Sequence, residues 1–313
     1  MNGMSQLIVA PILLPLVTAA VMLLLGEKHR QIKARLNLLS TFAGLAIAVS
    51  LLLWVRTQGQ AASIGVYLPG NWPAPFGIVL VVDHLSALLL TLTGVIGFSA
   101  LLFARARWDG AGASFHALFQ IQLMGLYGAF LTADLFNLFV FFEVLLAASY
   151  GLLLHGSGRA RVRAGLHYIA INLFASSLFL IGAAMLYGVT GTLNMADLAL
   201  KIPLVPEADR GLLHAGAAIL AMAFLVKAGI WPLNFWLVPA YASASAPVAA
   251  LFAIMTKVGL YAVLRLWTLL FSGQAGASAH FGGEWLVYGG LATLAMAAVS
   301  ILAAQRLERM AAL

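Results

Sequence analysis

The stretch Ala223–Met255, AFLVKAGIWPLNFWLVPAYASASAPVAALFAIM, decides the fold. It is apolar enough for a membrane helix, yet it carries a bare lysine, Lys227, and is broken at Pro232 in mid-run. Proline has no N–H and clashes with the preceding turn, so backbone carbonyls are freed around it. At membrane depth such breaks are tolerated where they line a cavity or are covered by protein, and they often form ion sites. A lysine in that setting gains or loses its proton as its surroundings change. The short Lys227-x-Gly229 pattern recurs as Lys257-x-Gly259, too short to count as a repeat.

Two further charges sit at comparable depth. Lys257 lies roughly 15 Å into the next apolar run, and Glu143, in Phe139–Leu146 (FVFFEVLL), lies about 14 Å from a helix start near Asp134. Each has a plainer reading: a hydrogen-bonded packing carboxyl, a lysine snorkelling to an interface, a structural cation. Ionisable groups inside the membrane are functional by default, so Glu143, Lys227 and Lys257 read together as a proton relay.

Composition sets the class. Of 313 residues, 63% are apolar and only 9% charged, against about 25% charged in soluble domains; mean hydropathy is +1.01. This is a polytopic, all-α transmembrane bundle. The formal charge of +7 does not point to nucleic acid, because Lys and Arg cluster in short connectors between apolar runs. With no cysteine, disulfide frameworks and thiolate metal sites are excluded. No phosphate loop, dinucleotide fingerprint, spaced metal-binding histidines or nucleophile elbow is present, so neither enzyme chemistry nor a cofactor or metal is expected.

A span needs about 20 apolar residues. Nine stretches qualify: 5–26, 36–55, 78–103, 115–132, 134–154, 164–189, 211–239 (interrupted), 247–271 and 284–304. The first has no basic leader and no cleavage site, so it is kept as a span. Alternate connectors carry Lys28, Arg30, Lys33 and Arg35; Arg105 and Arg107; Arg159, Arg161 and Arg163; Arg306 and Arg309. The other face has only Arg56, Lys201 and Arg210. The positive-inside rule therefore places the N-terminus outside and the C-terminus in the cytoplasm. The connectors Gln58–Gly77 and Gly191–Arg210 read as turn-rich, exposed segments of the outer face. One membrane domain is expected over 1–313, and the stop soon after Arg309 suggests a truncated product or a partial gene, with a natural nine-helix subunit as the other reading.

Other polar residues carry weaker signals. Asp134 stands at a helix start, where capping and ion entry account for it equally. His155 and His167 flank a basic connector; a surface position is favoured over a proton feed. Asp83 opens the third helix as a cap, and Arg265 anchors the outer end of the eighth. Asn137, Asn172, Ser176 and Ser177 either line a hydrated path or bond between helices.

The segments Leu135–Gly156 (LFNLFVFFEVLLAASYGLLLHG), Ala164–Gly182 (AGLHYIAINLFASSLFLIG), Gly191–Ala199 (GTLNMADLA) and Phe224–Leu266 resemble the proton-translocating, antiporter-like subunits shared by respiratory complex I and the multisubunit Mrp/Pha cation/proton antiporters. They look most like the D-type component of the Mrp/Pha system (MrpD/PhaD-like). The resemblance implies that Glu143 pairs with Lys227 of the broken helix and that Lys257 relays onward; from the residues themselves, Gly229, Pro232, Asp134, Asn137 and His155 stand as supporting candidates. It also implies partners: the other Mrp/Pha antiporter subunits (A, B, C, E, F and G), membrane lipid, H⁺ and Na⁺ or K⁺, in a bacterial inner membrane and without nucleic acid. The family fold has about fourteen helices in two inverted repeats. Here 1–110 correspond to three N-terminal helices, 115–271 to the first repeat, and 284–313 to the start of the second. Complex I relatives carry a pattern like HxWLPxAHxEAP after the break, whereas Asn234–Pro247 has no histidine and no acid. That favours the antiporter branch over a proton-pumping NADH–quinone oxidoreductase subunit. A truncated scaffold subunit is the third reading.

Overall fold

The computed structural model describes residues 3–57 and 63–313. In chain order the elements are α1 (Met4–Leu24), α2 (Arg30–Thr57), β1 (Gly65–Tyr67), β2 (Leu80–Val82), α3 (His84–Arg107), α4 (Phe115–Leu131), α5 (Leu135–Leu154), α6 (Arg159–Thr190), α7 (Met195–Lys201), α8 (Glu207–Ala228), α9 (Leu237–Ser243), α10 (Ala246–Leu270), α11 (Gly283–Ala303) and α12 (Leu307–Ala312). Among the described residues eight helical segments are long and apolar enough to cross a membrane, α8 and α9 forming one of them, and α4 adds an apolar helix of 17 residues. The nine apolar stretches thus map one to one onto helices, and the fold is an all-α membrane bundle.

The ends of the elements follow local chemistry. The third stretch is apolar from 78, but its helix begins only at His84, because Leu80–Val82 pairs antiparallel with Gly65–Tyr67. Asp83 then caps α3: its carboxylate accepts from Ser86 N (2.9 Å), and Ser86 Oγ accepts from Asp83 N (2.8 Å), a reciprocal box. The connector expected to be only turn-rich therefore holds a strand; its residues 58–62 lie outside the described residues. In the other long connector Asn194 caps the short α7 through Ala196 N and Asp197 N, both at 3.1 Å.

The chain divides into two compact units. The first is Met1–Gly158 with Ser245–Ile254; the second is Arg159–Ala244 with Met255–Leu313. In the first, α2 lies along α3, and α4 is inserted against α1 and α5. Nearly every side chain of α4 is buried, Phe119, Tyr127 and Phe130 among them. That is the behaviour of a helix apolar all round.

In the second unit α6 runs along α8. Lipid tails are as apolar as the side chains, so close approach and hydrogen bonds have to hold such helices together. At Gly182 of α6 a Cβ would stand 2.8 Å from Leu220 N of α8, so only glycine permits this separation. Helix α10 crosses the end of α8 in the same way, at Gly259. Helix α11 buries no residue of its own within the described chain.

Candidate proton-relay site

The break after Lys227 is built by glycine as much as by proline. Helix α8 stops at Ala228, and Gly229 takes the left-handed conformation (φ 70°), which a side chain disfavours. Pro232 lies three residues on, between the helix end and a 3-10 turn over Leu233–Trp236. Terminal carbonyls of a helix have no partner inside it. Here Leu225 O accepts from Ile230 N at 3.1 Å. Val226 O accepts from Gly229 N at 3.1 Å and from the indole Nε1 of Trp236 at 3.1 Å. Trp231 N is satisfied from α11, by Thr293 Oγ1 at 3.0 Å. Trp236 packs against Tyr168 of α6, ring centres 5.3 Å apart, and Tyr168 OH reaches Met255 Sδ at 3.9 Å. The break is thus a buttressed joint: its carbonyls are bonded and Trp236 is buried beneath it, while Trp231 and Pro232 themselves are exposed.

Lys227 sits in the last turn of α8, 4% exposed, and its Nζ donates to Ser176 Oγ of α6 at 3.0 Å. The negative end of the helix dipole favours a cation there. Ser176 is itself buried. Its hydroxyl accepts from an ammonium and donates to a neutral amine equally well, so this bond survives a change in the charge of Lys227. Asn172, one turn before Ser176, donates to Tyr168 O (2.9 Å), while Ser177 is exposed and bonds back to Leu173 O (3.2 Å).

Lys257 belongs to the same unit and has a different setting. A Cβ on Gly259 would stand 2.7 Å from Ala228 N, so α10 crosses α8 immediately beside Lys227. Residues two apart on a helix point about 200° from one another, and Lys257 therefore leaves α10 on the side away from that crossing. It is exposed, with Nζ 3.4 Å from Thr256 Oγ1. Arg265, two turns on, donates to Tyr261 OH at 2.7 Å and lies over its ring.

Glu143 belongs to the first unit. It is half-buried, on the stripe of α5 that also holds Phe136, Val140 and Ala147, all exposed, while Leu138, Phe142, Leu145 and Ser149 fill the core side. Asp134 caps α5 through Asn137 N at 2.8 Å, and Asn137 Nδ2 donates to Thr132 Oγ1 at 3.0 Å. His155 corrects the surface reading: it is 6% exposed, its Nε2 lies 3.0 Å from Trp108 O, and its ring packs on Phe115 at 4.9 Å. The connector after α3 folds back over it, which spacing along the chain does not reveal. His167 is exposed as expected, its Nδ1 3.1 Å from Arg163 O.

The sequence reading missed a buried polar cluster in the first unit. Gln120 Nε2 donates to Asn37 Oδ1 (2.7 Å) and Thr41 Oγ1 (3.0 Å), Asn37 Nδ2 meets His116 Nδ1 (3.0 Å), and Asp109 lies between His116 (3.4 Å) and Arg30 (3.2 Å). The available signal was i, i+4 spacing of polar residues inside apolar runs, Asn37 with Thr41 and His116 with Gln120.

Comparison with known proteins gives this arrangement a family. A profile described as "NADH:quinone oxidoreductase/Mrp antiporter, TM" matches residues 132–313. The chain is 54% identical over 311 residues to the probable K(+)/H(+) antiporter D-type component of Rhizobium meliloti, covering 99% of this chain and 58% of the relative. It is 40% identical to the Na(+)/H(+) antiporter D-type component of Alkalihalophilus pseudofirmus, over 87% of this chain and 55% of that one. Its fold superposes on a chain of the Mrp complex from a Dietzia species with a TM-score of 0.76 at 33% identity, covering 87% of this chain and 50% of the other. The chain therefore spans little more than half the length of the curated relatives it matches. It is a multi-pass membrane protein, and it belongs to the NADH:quinone oxidoreductase/Mrp antiporter transmembrane family.

Proposed function

We propose that the chain serves in a multisubunit monovalent cation/proton antiporter, as a D-type component that carries protons and not as a catalytic enzyme. The observation that carries this reading is the 54% identity, over nearly the whole chain, to a protein named as the D-type component of a K⁺/H⁺ antiporter. The other antiporter subunits (A, B, C, E, F and G) are its partners, with H⁺ and Na⁺ or K⁺ as cargo. It lies in a bacterial inner membrane, N-terminus outside and C-terminus in the cytoplasm. In the proposed mechanism a proton arriving at Glu143 weakens the electrostatic hold on Lys227. Lys227 then changes charge, and the charge moves toward Lys257. The seat of Lys227 favours such a step: it is buried, at a helix break, beside a hydroxyl that bonds to either protonation state. The outward direction of Lys257 requires that water or a neighbouring chain complete the path.

The test uses inside-out vesicles holding the full set of subunits, with respiration blocked and a pH gradient imposed. Adding Na⁺ or K⁺ should collapse the gradient in wild type and leave it standing in Glu143→Gln. Normal exchange by a well-assembled Glu143→Gln would remove this residue from the path. The family description also covers NADH:quinone oxidoreductases, and on that second reading no added cation collapses the gradient, while inhibiting the oxidoreductase does abolish pumping.

A further inference from the structure

We infer that the basic end of the second unit holds the phosphodiester headgroup of an anionic phospholipid. Three separate segments line one open cavity of about 900 Å³. From α6 come Arg159, Arg163 and His167, which share one face at four-residue spacing. From the C-terminal segment come Arg306 and Arg309, together with the cavity's one carboxylate, Glu308. Phe235, Trp236 and the C-terminal half of α9 form the remaining wall.

The arginines do not all share one task. Arg161 lies in the same run, and its Nε donates to Ser243 O at 2.9 Å, tying α6 to α9 and closing the wall. Arg159, Arg163, Arg306 and Arg309 line the space itself, and among the described residues none of these four guanidiniums is hydrogen-bonded or ion-paired. Four unpaired guanidiniums around one cavity repel each other, and the single carboxylate leaves an excess of positive charge. A phosphate diester answers that excess, since the guanidinium fork matches two of its oxygens. The start of α6, which borders the cavity at Arg159 and Ala160, adds its positive dipole end to the same field.

The surroundings say which phosphate. Val162 and Leu166 of α6, and Leu302 and Leu307 beside the C-terminal segment, are large, apolar and exposed (48%, 64%, 88% and 73%). They give acyl chains a surface next to the headgroup, which a free phosphate does not need. Basic pockets between membrane helices on the positively charged face bind such lipids.

Surface arginines that only set topology would line no pocket, so the control is a charge-matched pair elsewhere. The full-length protein, assembled with its partner subunits, would be placed in nanodiscs of phosphatidylglycerol and phosphatidylethanolamine, and the anionic lipid retained on extraction would be measured by native mass spectrometry. The variant R159Q/R163Q/R309Q should lose apparent affinity by about a hundredfold, and R105Q/R107Q should retain lipid like wild type. All of the altered side chains in the cavity are exposed, so the fold is not at risk; Arg309→Gln alone should give a smaller loss in the same direction. Undiminished retention by the cavity variant, or an equal fall in both variants, would overturn the site. Thermal stabilisation of lipid-free protein by inorganic phosphate, without selective lipid retention, would keep the anion chemistry and overturn the lipid assignment.

Discussion

The two Lys-x-Gly segments, Val226–Gly229 and Thr256–Gly259, are nearly interchangeable on paper, and the fold treats them as opposites. In the first, glycine ends the helix in a left-handed turn and the lysine is buried against Ser176. In the second, glycine continues the helix and gives up its side-chain volume to let α8 pass, while the lysine points out. The two segments meet at the Gly259–Ala228 crossing. Depth along an apolar run therefore decides whether a charge is costly, but the neighbour across the helix decides whether it is enclosed. A third lysine, Lys201, stands outside the spans, paired with Asp197 at 3.0 Å. The three settings differ: Lys227 is enclosed, Lys257 is exposed, and Lys201 is half-exposed and ion-paired.

The largest effect is expected at the enclosed lysine. Arginine keeps a positive charge but does not release its proton in a protein. If Lys227 must change charge, Lys227→Arg should assemble normally and lose cation-driven gradient collapse by at least about tenfold, a barrier change of roughly 1.4 kcal/mol. Exchange restored to wild-type level by arginine would mean that Lys227 supplies a fixed charge, and the relay would have to start elsewhere.

The crossing itself comes next. In Gly259→Val the new carbon would press on the backbone at Ala228 N, which cannot swing aside as a flexible side chain would. Overpacking of this kind costs about 1–3 kcal/mol. Gly229→Ala meets a different penalty, left-handed backbone, of about 1–2 kcal/mol. Thermal unfolding of the purified protein should rank both below wild type. If valine at 259 proved as stable as glycine, the helices do not approach as described, and the reason for the outward turn of Lys257 would go with it.

Much of this was legible in the residues. Apolar lengths located the nine apolar helices among the described residues, Pro232 marked a break beside Lys227, and Asp83 announced its cap, whereas Asp134 read equally as a cap or an ion entry. What was hidden depends on partners distant in sequence. Pro232 advertises a break, yet Gly229 ends the helix, and the indole that takes up Val226 O lies ten residues further on. The strand Gly65–Tyr67 exists because Leu80–Val82 lies beside it, and no periodicity of three residues predicts that. His155 looked like a surface residue because the run around it is basic; Trp108 and Phe115, some forty residues earlier, cover it. Lys257 and Lys227 looked equivalent because burial belongs to the neighbour and not to the run.

At the exposed position the two readouts should part company. Lys257→Gln removes a charge from a side chain with little packing, so stability should stay within about 0.5 kcal/mol of wild type. Exchange should nevertheless fall if Lys257 passes charge onward. A variant unchanged in both would take Lys257 out of the relay and leave Lys227 as the last protein group on this side.

The ion pair on α7 should give the smallest effect. Asp197 and Lys201 are one helical turn apart at the surface of α7, and the hydrogen bond from Lys201 holds the Asp197 carboxyl below its ordinary range. The sign follows from that depression: the pair's contribution is whole above the usual carboxylate pKa, near 4, and is lost as pH falls through the lower folded value. Exposed i, i+4 pairs are worth only about 0.3–0.5 kcal/mol, so Asp197→Asn should shift thermal stability slightly at neutral pH and not at all in strong acid, and salt should erase the difference. Cation exchange should be untouched, because this lysine lies outside the spans and already has its counter-ion. A loss of exchange here as large as at Lys227 would show that removing any charged partner disables the protein, and the contrast between the enclosed and the ion-paired lysine would carry no mechanistic meaning.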